Sequence, residues 1–395
     1  MKSTYKIIIL FLSALSCLTL GLLVTQNLFD NPALMDIKRV IRSVIFLLGL
    51  FLFWAGAYAL HLKSNKRAIS NTLTMMGGLL SIYVMLEVVF AFVSISCGGS
   101  QTLVSKNWFA KHWTQNKYGF RDWEPENLDR PDKPNIFIVG DSYVAGHGID
   151  DTSYRFSNIM RQNLQSRFDV FNLGVCGADT KEELQFIKDY PVKADYIVVA
   201  HTNNDIYNVL AKSKIKQLLK TQKDSLMLNF KLKPSALLFV SQSFSLNFFD
   251  YIIKNTLREI VIKSQAESFS NFESFLSSSS AKNLEMNYYR NNKLLNAHFA
   301  QIDSFISYAN QDSARLLFLL FPKIDSEVME YTNRTANLPI GEHLASLKIA
   351  SINLTSVLGE IPQQKRVISQ FDPHPGTIAN RAIADTLVRF FSAVK

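Results

Sequence analysis

Residues 135–146 read Asn-Ile-Phe-Ile-Val-Gly-Asp-Ser-Tyr-Val-Ala-Gly. The run Asn135–Gly140 has the near-continuous Ile, Phe and Val of a parallel strand buried on both faces. It ends on Gly140-Asp141-Ser142, which places Ser142 at a strand-to-helix turn on the carboxyl edge of a sheet. Asp and Ser are also favoured helix caps. Taken alone, the stretch reads either as a cap or as a held nucleophile.

Working outward, four more runs have the same character: Phe168–Leu173, Asp195–His201, Arg315–Phe321 and about Lys348–Leu354. Helical patterns lie between and after them, at Ser153–Ser166, Lys181–Asp189, Lys293–Ala309 and Ala379–Ala393. Strands alternating with helices predict an α/β domain, a three-layer flavodoxin-like parallel sheet. Ligands of such sheets bind outside the carboxyl ends of the strands. Residues about 207–292 interrupt the alternation. They open with Lys212, Lys214, Lys216, Lys220 and Lys223, pass a Phe-rich part (Ser235–Ile262) and reach a serine run, Ser277–Ser280. We read them as a helical insertion, with three uses open: a lid, a basic face on anionic lipid, or packing helices.

A serine nucleophile needs a base. Phe371-Asp372-Pro373-His374-Pro375-Gly376 precedes the last helix, so His374 is expected on a loop at the same rim, with Asp372 two residues before it. Ser142, Asp372 and His374 form a triad by role. Asn172-Leu173-Gly174-Val175-Cys176-Gly177 closes the second strand and Thr202-Asn203-Asn204-Asp205 the third. The Gly177 N–H, the Asn204 amide and the Ser142 N–H are candidate donors to a developing oxyanion. Asp141 and Asp205 read as structural, and Cys176 as a packed thiol.

Gly140-Asp141-Ser142, Gly177, Asn204-Asp205 and Asp372-x-His374 resemble, in order, the four blocks of the SGNH (GDSL) hydrolases. The resemblance covers about residues 116–394, and Asn116–Arg121 is similar to the segment before the first block in bacterial members. It implies Ser142 as nucleophile, His374 as base, and Gly177 and Asn204 in the oxyanion hole. The implied activities are those of esterases, lipases, thioesterases and carbohydrate O-acyl hydrolases or transferases. One position departs from the pattern. The family usually has Asp three residues before His, where this chain has Phe371. The site is therefore expected to run either as a triad, with a shifted loop bringing Asp372 to the ring, or as a Ser142–His374 dyad.

Rival chemistries lack their residues. Ser142 has no Gly-x-Ser-x-Gly frame for an α/β-hydrolase. There is no Asn-His-Glu or Asn-His-Asp box, so no metal site is expected, and Gly146-His147-Gly148 does not extend into a dinucleotide fingerprint. No cofactor is expected.

The chain has 395 residues, 42 Lys and Arg, 33 Asp and Glu, and three cysteines. That excludes a disulfide scaffold. Eight basic and three acidic side chains fall within residues 1–97, and the remainder is nearly balanced. No nucleic-acid footprint is implied. Residues 1–97 read as a transmembrane anchor with helices at about 7–29, 43–62 and 71–97, each near the 20 or so apolar residues a bilayer requires. Residues 98–395 then form the SGNH-like α/β domain. Lys2, Lys6, Lys63, Lys66 and Arg67 against Lys38, Arg39 and Arg42 favour a cytoplasmic N-terminus and an extracytoplasmic C-terminal domain. Glu87, inside the third span, is expected near an interface or paired with a neighbouring span. Trp108, Trp113 and Trp123 fit an interfacial belt or a core.

These readings predict an esterase or O-acyltransferase of the cytoplasmic membrane acting on O-acyl, chiefly acetyl, groups of polysaccharide or glycolipid. Two alternatives stand beside it: an inactive glycan-binding protein docked on a membrane-protein partner, and a membrane lipase.

Overall fold

The computed structural model describes residues 2–63, 66–98, 102–125, 133–209, 239–267, 284–324 and 329–394. The lysine run 212–223 and the serine run 277–280 lie outside them. The described residues form two compact units. The first holds residues 2–111 and 239–262, and the second runs from His112 to Val209 and from Leu284 to Val394, together with the end of the helix that crosses residue 262.

The first unit contains three apolar helices, α1 (Lys2–Gln26), α2 (Met35–His61) and α3 (Arg67–Phe92). All three are long and apolar enough to cross a membrane, with mean hydropathies of 2.7, 2.1 and 2.0 in their best windows. Leu12, Leu15, Leu23, Phe51, Leu79 and Met85 are more than half exposed. The second helix starts at Met35, well before the residue 43 read from charge alone. It takes in Arg39 and Arg42, because both find partners: Arg39 bonds Asp36 and Asn107, and Arg42 bonds Glu87. The third helix stops at Phe92, short of residue 97.

Residues 102–111 and 239–262, read from the sequence as parts of the α/β domain, pack with these helices. Asn107 donates to the carbonyls of Ala91 and Val93 at 3.0 and 2.8 Å. Helix Phe244–Glu267 is tied on by Asn247, which accepts the Leu103 N–H at 2.8 Å. Trp108 is buried, Trp123 is 43% exposed, and the belt reading fails for Trp108.

The second unit is a five-stranded parallel sheet: β1 (Asn135–Gly140), β2 (Asp169–Gly174), β3 (Tyr196–His201), β4 (Arg315–Leu320) and β5 (Ala350–Asn353). The order is β2-β1-β3-β4-β5, the flavodoxin-like order. Strand pairing runs in register from Ile136↔Val170 and Ile136↔Tyr196 to Tyr196↔Arg315. One face of the sheet, with Ile136, Ile138, Val198 and Leu319, packs on helices Phe156–Leu164 and Thr377–Ala393 through Phe156, Met160, Ile383 and Phe391. On the other, Phe137 meets Tyr190 and Phe318 meets Phe305, with ring centroids 5.1 and 6.2 Å apart. Core layers on both faces explain why the strand runs are apolar without alternation.

A two-stranded antiparallel hairpin follows, β6 (Val367–Ser369) and β7 (Asp372–Pro375). His374 therefore lies on a strand and not on the loop expected from its flanking prolines.

Candidate active site

The strand order reverses between β1 and β3, and the crevice at that switch point is where open α/β sheets bind ligands. Ser142 opens a one-turn helix (Ser142–Ala145) directly after β1. Asp141 caps it, accepting the Tyr143 N–H at 2.9 Å. The turn has to be tight. A Cβ on Gly140 would stand 2.5 Å from Val144, and one on Gly174 would stand 2.3 Å from the Ala145 nitrogen.

Ser142 Oγ lies 2.8 Å from His374 Nε2, and His374 Nδ1 lies 2.5 Å from Asp372 Oδ1. In the tautomer that satisfies both contacts, the Ser142 hydroxyl donates to Nε2 and the Nδ1–H donates to the carboxylate. A serine hydroxyl on an imidazole backed by a buried carboxylate is the arrangement of nucleophilic acyl transfer. The two-residue spacing of Asp372 and His374 follows from β7. Side chains two apart on a strand share a face, so carboxylate and imidazole meet without a turn between them. Asp372 also accepts the His374 backbone N–H at 3.2 Å.

Asp372 has a second imidazole, which sequence reasoning missed. His147 Nδ1 lies 3.1 Å from Asp372 Oδ2, and its ring lies 4.2 Å from that of His374, centroid to centroid. Asp372 is fully buried and His147 nearly so. Burial alone would push the Asp372 carboxyl up. Hydrogen bonds from His147 and His374, with their charges, outweigh it and hold the carboxyl far below the usual carboxylate range. Gly148 makes this approach possible: its φ is +83°, and a Cβ there would stand 2.7 Å from Asp372 Oδ2. The available signal was a polar residue between two glycines, in an apolar stretch just past the nucleophile turn. His147, Asp372 and His374 are also the one group with metal-ligand proximity found among the described residues.

The two candidate oxyanion residues sit on loops after β2 and β3. Gly177 has φ +76° in an exposed turn closed by the Ala178 N–H on Val175 O at 3.0 Å. Asn204 is exposed, and its amide donates to Asp141 Oδ2 at 3.2 Å. Thr202 ties this loop to the Ser142 turn through its hydroxyl, 3.2 Å from Asp141 Oδ2, while its N–H donates within the loop to Asp205 Oδ2 at 2.8 Å. Asp141 and Asp205 are thus bound into the turns they were expected to brace. Behind them Glu183 is fully buried. Burial first, then the charges of Asp205 and Asp141, pushes its carboxyl well above the ordinary range. Cys176 is exposed, not packed as its sequence context suggested.

The segment before β1 braces the same turn from outside. Arg121, buried, donates to the carbonyls of Gly146 and Ile149 at 2.5 and 2.7 Å. Arg155, also buried, bonds the carbonyls of Arg121 and Ala145.

No family model matches the chain, and no curated protein matches it. Among solved structures, a member of the lipolytic protein G-D-S-L family from Veillonella parvula DSM 2008 is similar at 13% identity, over 66% of this chain and 99% of that one, with a TM-score of 0.37. A putative lipolytic protein of the G-D-S-L family from Desulfitobacterium hafniense DCB-2 is similar at 10% identity, over 65% and 99%, with a TM-score of 0.36. The acetylxylan esterase Axe2 from Geobacillus stearothermophilus is similar at 8% identity, over 65% and 93%, with a TM-score of 0.37.

Proposed function

We propose that the protein is a membrane-anchored serine esterase or O-acyltransferase of SGNH type. The observation that carries the reading is the hydrogen-bonded chain Ser142–His374–Asp372 at the switch point of the sheet. His374 Nε2 takes the hydroxyl proton as Ser142 Oγ attacks an ester carbonyl. Asp372 stays ionised and holds the imidazole in the tautomer that leaves Nε2 free to accept. The N–H groups of Ser142 and Gly177 and the Asn204 amide receive the developing oxyanion. His374 then returns its proton to the departing alcohol, and an acyl-Ser142 forms. Water or an acceptor hydroxyl, deprotonated by the same nitrogen, releases the acyl group.

The anchor reading is supported by the many large apolar side chains exposed along α1–α3, of a kind that soluble monomers mostly keep buried. The balance of basic residues favours an extracytoplasmic α/β unit at the cytoplasmic membrane. O-acyl groups of polysaccharide or glycolipid are the substrate class we favour, by analogy with membrane-tethered proteins of this type.

The test is a fluorophosphonate probe on the full chain in detergent, followed by peptide mapping. Label on Ser142, lost in Ser142→Ala together with hydrolysis of an acetyl ester, is the expected result. A folded chain that takes no label, or equal ester hydrolysis by Ser142→Ala, overturns the enzyme reading in favour of a binding protein. Faster turnover of long-chain than of acetyl esters would move the substrate to membrane lipid.

A further inference from the structure

Glu87 is fully buried in α3 and sits at the centre of a polar cluster. Arg42 of α2 pairs with its carboxylate and donates to its backbone carbonyl at 3.2 Å, while Arg42 Nε bonds Thr25 of α1 at 2.8 Å. The same carboxylate accepts the Ser243 hydroxyl at 2.6 Å and the backbone N–H groups of Phe244 and Ser245 at 3.1 and 2.9 Å. Those N–H groups open helix Phe244–Glu267. An acid on one apolar helix therefore caps another, where the helix dipole favours negative charge. Thr25, Arg42 and Glu87 lie toward the same end of the three antiparallel helices.

The depth of this contact can be worked out from α3. Glu87 is five residues from the end of α3 at Phe92, or about 7.5 Å at about 1.5 Å per residue. Phe239 stacks on Tyr83, one turn deeper, with centroids 6.0 Å apart. Phe248 and Phe249 meet Phe90 at 5.5 and 5.6 Å. Interfacial helices bury their apolar faces roughly 5–10 Å below the headgroups. Phe249, at the edge of that contact, begins a row with Ile253 and Leu257 that stays exposed at a spacing of four, with the ion pair Asp250–Lys254 beside it.

We propose that residues 239–257 form a fourth membrane element, an interfacial helix whose Phe249, Ile253 and Leu257 face lipid. The proposal rests on the reading of α1–α3 as spans, to which the exposed row is joined at Phe249 by its contact with Phe90 of α3. The occupant is the acyl and headgroup boundary of the leaflet at the α3 C-terminal end.

The test uses the full chain in phosphatidylcholine–phosphatidylglycerol nanodiscs, with Cys17, Cys97 and Cys176 replaced by Ala. A nitroxide is placed in turn at Phe249→Cys, Ile253→Cys and Leu257→Cys, with Leu79→Cys as a mid-span reference and Tyr154→Cys as an aqueous one. The oxygen-to-nickel accessibility ratio should exceed that of Tyr154→Cys several-fold at the three sites and report a depth shallower than Leu79→Cys. Ratios equal to that of Tyr154→Cys would overturn the proposal, while a lipid signal at Leu79→Cys would leave the anchor standing. Low access to both reagents would mean a protein covers the row, and would also overturn it. An aqueous signal at Leu79→Cys would sink the anchor as well. Hydroxyl-radical footprinting of the unmodified chain in the same discs guards against misfolded variants. Phe249 should be as protected as Phe51, and oxidation of Phe249 to the extent of Tyr154 refutes the lipid contact.

Discussion

Replacing His147 by Leu removes the group that faces Asp372 Oδ2 across 3.1 Å and leaves a shape of similar bulk. The carboxylate is fully buried, so water does not easily replace the lost donor. A hydrogen bond to a charged group contributes roughly 1.5–3 kcal/mol, and at about 1.4 kcal/mol per decade its loss is a roughly 10- to 150-fold fall in rate. The fall should appear in kcat with little change in KM, because the contact supports the imidazolium formed in the transition state and not the bound ester. His147→Asn carries a side-chain N–H close to where Nδ1 stood and should recover most of the loss. The assay is acetyl-ester hydrolysis by the full chain, with a thermal midpoint measured for each variant. A folded Leu variant that keeps wild-type kcat/KM would refute the argument that Asp372 depends on its second imidazole.

The other predictions follow from single contacts. Gly148→Ala puts a Cβ 2.6 Å from Ile368 and 2.7 Å from Asp372 at φ +83°, so activity should drop sharply while α1–α3 stay folded; undiminished ester turnover would contradict that crowding. Glu183→Gln tests the buried carboxyl. Its folded-state pKa is raised, so the unfolded chain loses its proton first as pH rises past the ordinary value of about 4.5, and the wild type loses stability from there upward. The Gln variant should therefore melt higher than wild type at pH 8, with the advantage shrinking toward pH 4.5; equal melting at both would show that the folded carboxyl is not shifted upward. Glu87→Ala strands Arg42 without its partner. Removing one member of a buried pair costs roughly 3–5 kcal/mol, so the detergent-solubilised chain should lose thermal stability and expose residues 239–257 to protease.

The sheet was legible because its strands are buried on both faces and so keep unbroken apolar runs. Ser142 and His374 were legible because strand ends in such a sheet share one rim. What stayed hidden depended on long-range pairing. The spacing of Asp372 and His374 only makes sense once Val367–Ser369 pairs with Asp372–Pro375 and turns a proline-flanked loop into a strand. His147 is 225 residues from Asp372, and the two glycines around it mark it as unusual without naming its partner. The start of α2 was misplaced because Arg39 and Arg42 read as loop charges until Asn107 and Glu87 are brought to them. Helix Phe244–Glu267 was assigned to the sheet domain because its neighbours in sequence belong there, and its capping acid lies 157 residues away.

The order of the elements along the chain has a consequence for biosynthesis. A ribosome delivers Ser142 well before Asp372 and His374, which follow helix Phe244–Glu267. A nascent chain arrested anywhere before His374 thus presents a hydroxyl with no partner to ionise it. Under the proposed esterase reading, the chain would stay harmless to the cell's own esters until the β6–β7 hairpin has formed.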